Sequence, residues 1–178
     1  MIYVFLADGF EECEAIAPVD ILRRAGFEVK TVGIGSKNIT GSHGITVTAD
    51  IEESDALTEN LEAVVLPGGM PGTLNLEKSD TVQKFIDFAA QNNIITAAIC
   101  AAPSILGHKN LLNGKKATCF TGFEKDLYGA KISDSPCVTD GNFITAYGAG
   151  AAFEFGFAIV AALSGKSFAE NLKKQMRY

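Results

Sequence analysis

The sequence predicts an α/β fold, a three-layer α/β/α sandwich around a flavodoxin-like, mostly parallel sheet. Three observations carry that prediction. Short apolar runs alternate with segments of 3.6-residue periodicity along the 178 residues, the pattern of parallel strands joined by crossover helices. Ile94–Ile99 is apolar on both faces, as a central strand covered on both sides should be. No repeat, low-complexity tract or linker interrupts the pattern, so residues 1–178 read as one domain.

The elements follow in order. Ile2–Ala7 is a first strand, and Ala15, Ile16, Val19 and Leu22 mark one face of a helix that Gly26 stops. Phe27–Val32 is a second strand. Ile39-Thr40 and Ile45–Thr48 flank Gly41-Ser42-His43-Gly44 as a small hairpin. Ala63–Leu66 is a buried strand ending in Pro67-Gly68-Gly69. Ser79 caps a helix whose apolar face is Val82, Phe85, Ile86 and Ala89. After Ile94–Ile99, Asp140-Gly141 turns a hairpin between Val138-Thr139 and Phe143-Ile144. Ala151–Ser164 is a long apolar helix stopped by Gly165, and Ser167 with Glu170 forms a capping box for the last one.

Composition narrows the function. The chain is 47% hydrophobic and 20% charged, with net charge −6 and no basic stripe, which excludes nucleic acid and anionic membrane as main partners. The N-terminus reads as a strand rather than an export signal, which places the protein in the cytoplasm with reduced thiols. The apolar stretch Gly148–Gly165 carries Glu154 and reads as a buried helix, not a membrane span. Cysteines stand at 13, 100, 119 and 137, with no C-x-x-C spacing and only two histidines. No zinc cage or dithiol motif results. Gly68-Gly69-Met70-Pro71-Gly72 lacks the Lys-Ser/Thr of a phosphate loop, and no G-x-G-x-x-G occurs. Neither a metal nor a cofactor is expected.

In such sheets, ligands sit beyond the carboxyl ends of the strands. The fold rule brings three segments there: Asp8–Glu14, Gly68–Gly72 and Cys100-Ala101-Ala102-Pro103. Ala97-Ala98-Ile99-Cys100-Ala101-Ala102-Pro103 is a strand that stops abruptly and becomes a helix. A nucleophile on such an elbow is held out of the sheet beside backbone amides, which lower a thiol's pKa. Cys100 is therefore expected to be partly or wholly thiolate near neutral pH. The amides of Ala101 and of Gly68 or Gly69 would form an oxyanion pocket. The alternative is a small buried residue ending a strand. Glu14 directly precedes the apolar stripe, and Pro18, four residues on, has no N–H for the Glu14 carbonyl, so a helix kinked or begun there turns Glu14 towards the crevice. A buried carboxyl beside the thiol would stay protonated; a surface helix-dipole role is the alternative. Glu11 and Glu12 read as a solvated helix start.

Pro67-Gly68-Gly69, Ala97–Pro103 around Cys100, Glu11-Glu12-Cys13-Glu14 with Pro18-Val19-Asp20, and Gly148-Ala149-Gly150 before Phe153-Glu154-Phe155 occur together in the chain. In this combination the sequence resembles the ThiJ/PfpI superfamily, and within it the DJ-1 subfamily, over essentially its whole length. The resemblance implies a homodimer with one oxidisable cysteine, matching Cys100, and a protonated glutamate partner, matching Glu14. It also implies cofactor-free glyoxalase or deglycase chemistry on small reactive aldehydes or glycated groups, redox-dependent chaperoning, and oxidative-stress sensing. Three positions depart from the family pattern. Ala101 stands where some members have a histidine, Phe120 where many have another, and His43 where dimers bring an arginine towards the partner's site. A Cys–His dyad and strong binding of anionic substrates drop out of what the resemblance implies.

The other candidates are weaker. His43 is a possible dimer-contributed or anion contact, and Arg24, at the end of helix one, a possible anion contact. His108 reads as a helix-end residue, Cys13 as a semi-buried bystander, and Cys119 and Cys137 as strand-core thiols. No histidine follows His108, which argues against a cysteine peptidase or glutamine amidotransferase. Two functions remain: an enzyme in which Cys100 adds to a 2-oxoaldehyde while Glu14 moves the proton, or a redox sensor or stress chaperone controlled by oxidation of Cys100 to a sulfinic acid.

Overall fold

The computed structural model describes residues 1–178 and organises them around one seven-stranded sheet. The first half of the chain supplies β1 (Ile2–Leu6), α1 (Glu12–Arg24), β2 (Val29–Gly33), β3 (Asn38–Thr40), β4 (Thr46–Thr48), β5 (Ile51–Glu52) and β6 (Ala63–Leu66). Then follow α2 (Gly72–Lys78), α3 (Asp80–Gln91), β7 (Ile95–Ile99), α4 (Pro103–His108), β8 (Lys116–Ala117) and β9 (Lys131–Ile132). The chain closes with β10 (Cys137–Asp140), β11 (Phe143–Ala146), α5 (Ala152–Ser164) and α6 (Lys166–Met176). The sheet order is β10-β11-β7-β6-β1-β2-β5. All neighbours are parallel except the β10–β11 hairpin.

Strand alternation divides the core in two. Ile2, Val4, Leu6, Ala63, Val65, Ala97 and Ile99 face one way and meet apolar residues of α1, α5 and α6. Tyr3, Phe5, Ala7, Val64, Leu66 and Ala98 face the other way, towards α2, α3 and α4. This is the expected α/β/α sandwich. The 13-residue α5 lies on α1, and a methyl group on Gly156 would come within 2.8 Å of Ile21 Cδ1 and 3.3 Å of Pro18 Cα. The missing side chain sets how closely those two helices approach. No helix is long and apolar enough to cross a membrane.

The structure moves several expected boundaries. The second strand is Val29–Gly33 rather than Phe27–Val32. α1 begins at Glu12 and runs through Pro18 without breaking there. Ser167 sits inside the first turn of α6, with Gly165 at its N-cap and no side-chain cap, so the Ser167–Glu170 capping box does not form. Cys119 is buried but follows β8 in a loop, while Cys137 opens the edge strand β10 and is only partly buried.

Candidate active site

Because β7, β6 and β1 are consecutive parallel strands, their carboxyl ends lie side by side. The three segments expected at the crevice therefore do meet. Cys100 follows β7 with φ of 65°, a left-handed conformation that costs an L residue about 1–2 kcal/mol. The turn is clamped on both sides. Cys100 N–H donates to the Ala146 carbonyl at 2.8 Å, and Phe120 N–H donates to the Cys100 carbonyl at 2.8 Å. The amides of Gly69 and Ala101 are directed at the Cys100 sulfur.

Glu14 reaches the same point from the first turn of α1. It is 1% exposed. Gly68 N–H donates to its Oε2 at 2.9 Å, and its carboxyl also faces the Cys100 thiol. A methyl on Gly68 would lie 2.6 Å from both the Cys100 Cβ and Glu14 Oε2, so only glycine lets the end of β6 pass between them. Gly69, at φ +89°, then turns the chain so close to α1 that a methyl on it would lie 2.4 Å from the Glu11 nitrogen. Gly68, Gly69, Ala101, Glu14 and Cys100 are thus brought together as the sequence suggested.

The electrostatics differ from the sequence expectation. Burial, helped by the negative Glu11, raises the Glu14 carboxyl to about 7 against the opposing pull of Cys100 and the Gly68 amide. Burial, then the charge and hydrogen bond of Glu14, push the Cys100 thiol up to about 12, with the Gly69 and Ala101 amides pulling the other way. Burial and the neighbouring carboxyl thus work against the thiolate that the turn amides favour. Two interacting acids titrate as a pair. Each partner raises the cost of ionising the other, so the first proton leaves more readily than the second. α4 has only six residues, so its dipole adds little. Burial also lifts Cys119 and Cys137 to about 12, so acidity does not single out Cys100. Its partner and its amides do. Cys13, read as semi-buried, is exposed, and its acidic neighbours, led by Glu11, raise it.

Two acidic residues were misread as solvated. Glu11 is the N-cap of α1, and its side chain accepts the Glu14 N–H at 2.7 Å. The signal was available: a carboxylate three residues before the buried one has N-cap spacing. Glu12 is 7% exposed and binds the hairpin between β3 and β4. It accepts from the His43 N–H and pairs with His43 Nδ1, both at 2.8 Å. Burial would raise Glu12, but the His43 ring and amide hydrogen bonds overcome it and set it at about 2. Nothing local in the sequence links residues 31 positions apart.

His43 is therefore tied to its own chain, and its pairing with Glu12 raises its pKa. Glu11, Glu12 and His43 each bring one donor atom within 4.8 Å of the others, but Glu12 is already committed to the hairpin. Arg24 lies at the far end of α1, its Nε on Asp20 at 2.7 Å, and takes no part in the site. His108 ends α4 and pairs with Glu77, as a helix-end residue does.

The fold and the turn together define a class: parallel α/β sandwiches that carry a cysteine on the turn after a central strand, opposite a buried carboxyl. More narrowly, the chain belongs to the DJ-1/PfpI family, whose profile matches residues 1–162. It is 34% identical over 175 residues to the Parkinson disease protein 7 homolog of Danio rerio, covering 96% of this chain and 93% of that protein. It is 33% identical over 174 residues to the protein dj-1beta of Drosophila melanogaster, with 96% and 93% covered. Among solved structures it resembles the oxidized DJ-1 of Toxoplasma gondii, with TM-score 0.94 and 28% identity over 99% of this chain and 97% of that one.

Proposed function

We propose that this DJ-1-like protein acts in carbonyl and oxidative stress as a homodimeric, cofactor-free glyoxalase or deglycase on 2-oxoaldehydes and glycated groups. The observation that carries this reading is the facing pair: Cys100 on a strained turn, opposite the buried Glu14, with the Gly69 and Ala101 amides at its sulfur. As the sulfur bonds to the aldehyde carbon, the thiol proton passes to Glu14, and the amides stabilise the alkoxide that forms. Glu14 returns that proton to the oxygen, giving a hemithioacetal. It then takes the hydrogen from the aldehyde carbon as a proton and delivers it to the neighbouring carbon, while the hydroxyl proton on the former aldehyde carbon moves to the ketone oxygen. The former aldehyde carbon is oxidised and the ketone carbon reduced, leaving a thioester of a 2-hydroxy acid. Water hydrolyses it and restores the thiol. Methylglyoxal and water become lactate, a balanced internal redox shift.

The test is lactate formation from methylglyoxal by purified protein across pH. The singly protonated pair is the working form, so kcat/KM should rise as pH rises through about 7. Cys100→Ser should abolish turnover, and Glu14→Gln should lower it by about 10²–10⁴-fold. Lactate production surviving in Cys100→Ser would overturn the reading. A second reading, redox sensing through sulfinic Cys100, is favoured by the Toxoplasma gondii neighbour having been solved oxidized. Glu14 and the same amides would hydrogen-bond the oxidised sulfur. Wild-type protein that shows no turnover, yet is oxidised by peroxide at Cys100 in a Glu14-dependent way, would put this second reading first.

A further inference from the structure

We infer that Phe120 is the specificity-determining wall of the Cys100 pocket, selecting 2-oxoaldehydes with an uncharged aromatic or branched apolar substituent over carboxylate-bearing ones. The inference rests on the 2-oxoaldehyde reading above and adds the substrate class. Phe120 is tethered at the site by its backbone, whose N–H holds the Cys100 carbonyl at 2.8 Å. Any residue could supply that N–H. The ring is a separate matter. It is 50% exposed, so the core does not demand it, and what distinguishes it from other exposed apolar side chains is its place beside the reactive pair.

The two oxygens of Glu14 point to different neighbours. Oε2 takes the Gly68 amide, on the Cys100 side. Oε1 looks towards Gly148, where an added methyl would lie 4.0 Å from that oxygen and 3.3 Å from Phe120 Cδ2. Ring and carboxyl therefore flank the same glycine. In the bound substrate the sulfur holds the aldehyde carbon, and Glu14 serves that carbon and its ketone neighbour. The substituent on the ketone carbon extends past Glu14, towards Gly148 and Phe120. Gly148 leaves the space and Phe120 supplies the apolar surface.

Charge points the same way. The ionisable groups acting on the pair from outside it reduce to Glu11, which is acidic. No cation offsets it: His43 is engaged by Glu12, and Arg24 lies at the far end of α1 on Asp20. A carboxylate on the substrate would meet repulsion with nothing to offset it.

The experiment compares kcat/KM for phenylglyoxal, methylglyoxal and 4-carboxyphenylglyoxal in wild type and Phe120→Ala. Wild type should prefer phenylglyoxal to both others. Phe120→Ala should cut the phenylglyoxal-to-methylglyoxal ratio by about tenfold, the scale of losing part of an apolar subsite. A ratio unchanged by Phe120→Ala overturns the proposal. Capture of Cys100 by N-benzyliodoacetamide against iodoacetate, read by mass spectrometry, needs no turnover. That selectivity should also fall in Phe120→Ala. If wild type turns over none of the aldehydes, the enzyme reading fails, and alkylation alone decides the wall: a fall supports it, and no change overturns it.

Discussion

At the scale of single residues, two buried glutamates two positions apart, Glu12 and Glu14, have opposite electrostatics. Glu14 finds a thiol, one amide and an acidic neighbour, so its charge is poorly supported and its pKa rises. Glu12 finds an imidazole and amide donors, so its charge is well supported and its pKa falls to about 2. The second has a stability consequence. A carboxyl whose folded pKa lies below its ordinary 4.5 stabilises the fold above that value, and loses this contribution as pH falls towards about 2. Glu12→Gln should therefore destabilise the protein at pH 7 by about 1.5–3 kcal/mol, the scale of hydrogen bonds to a charged group. The gap from wild type should narrow as pH drops from 4.5 towards 2. Urea unfolding at a series of pH values measures it. A gap that does not vary with pH would mean that Glu12 acts by packing alone.

At the scale of elements, the site depends on backbone closeness more than on any one side chain. The end of β6 passes between the end of β7 and the start of α1, and Gly68 is the residue that lies against both Cys100 and Glu14. Gly68→Ala should push Cys100 and Glu14 apart. Overpacking of this kind costs about 1–3 kcal/mol. The stability loss should come with loss of lactate formation in protein whose far-ultraviolet circular dichroism is native. Full activity in Gly68→Ala would show that the three segments do not need this contact. This crevice was legible in the sequence because it follows from parallel topology and from glycines and alanines at strand ends. The strands and α3 were legible from periodicity and from the Ser79 cap, which the structure retains through the Val82 N–H. The continuity of α1 through Pro18 was not, since its packing on α5 overrides a local breaker signal. The upward push of burial and Glu14 on the thiol was also hidden. Turn amides can be read from sequence, whereas burial and the paired carboxyl are properties of the assembled chain.

At the scale of the whole molecule, the proposed homodimer makes a claim about one face. The sheet is covered on both sides, yet Ile16 on α1 and Ile45 in the β3–β4 hairpin remain 42% and 58% exposed. The hairpin and α1 are joined, so both lie on the α1 side of the molecule. Ile45 N–H donates to Glu12, one turn before Ile16, and Ile16, Val19 and Val47 line a common groove. Adjoining exposed apolar side chains mark an interaction surface. A second copy presenting the same patch about a two-fold axis would cover it, as isologous dimers do. The Glu12–His43 pairing fixes the hairpin against α1, so it holds the patch in shape. The same helix carries Glu14, so pairing at this face would also steady the site. Light scattering at micromolar concentration should give wild type twice the 18.8 kDa of one chain. Ile16→Glu should give the single-chain mass, because it adds charge to the patch of a protein already at −6. Wild type at the single-chain mass would remove the dimer. A dimer that survives Ile16→Glu would move it to another face.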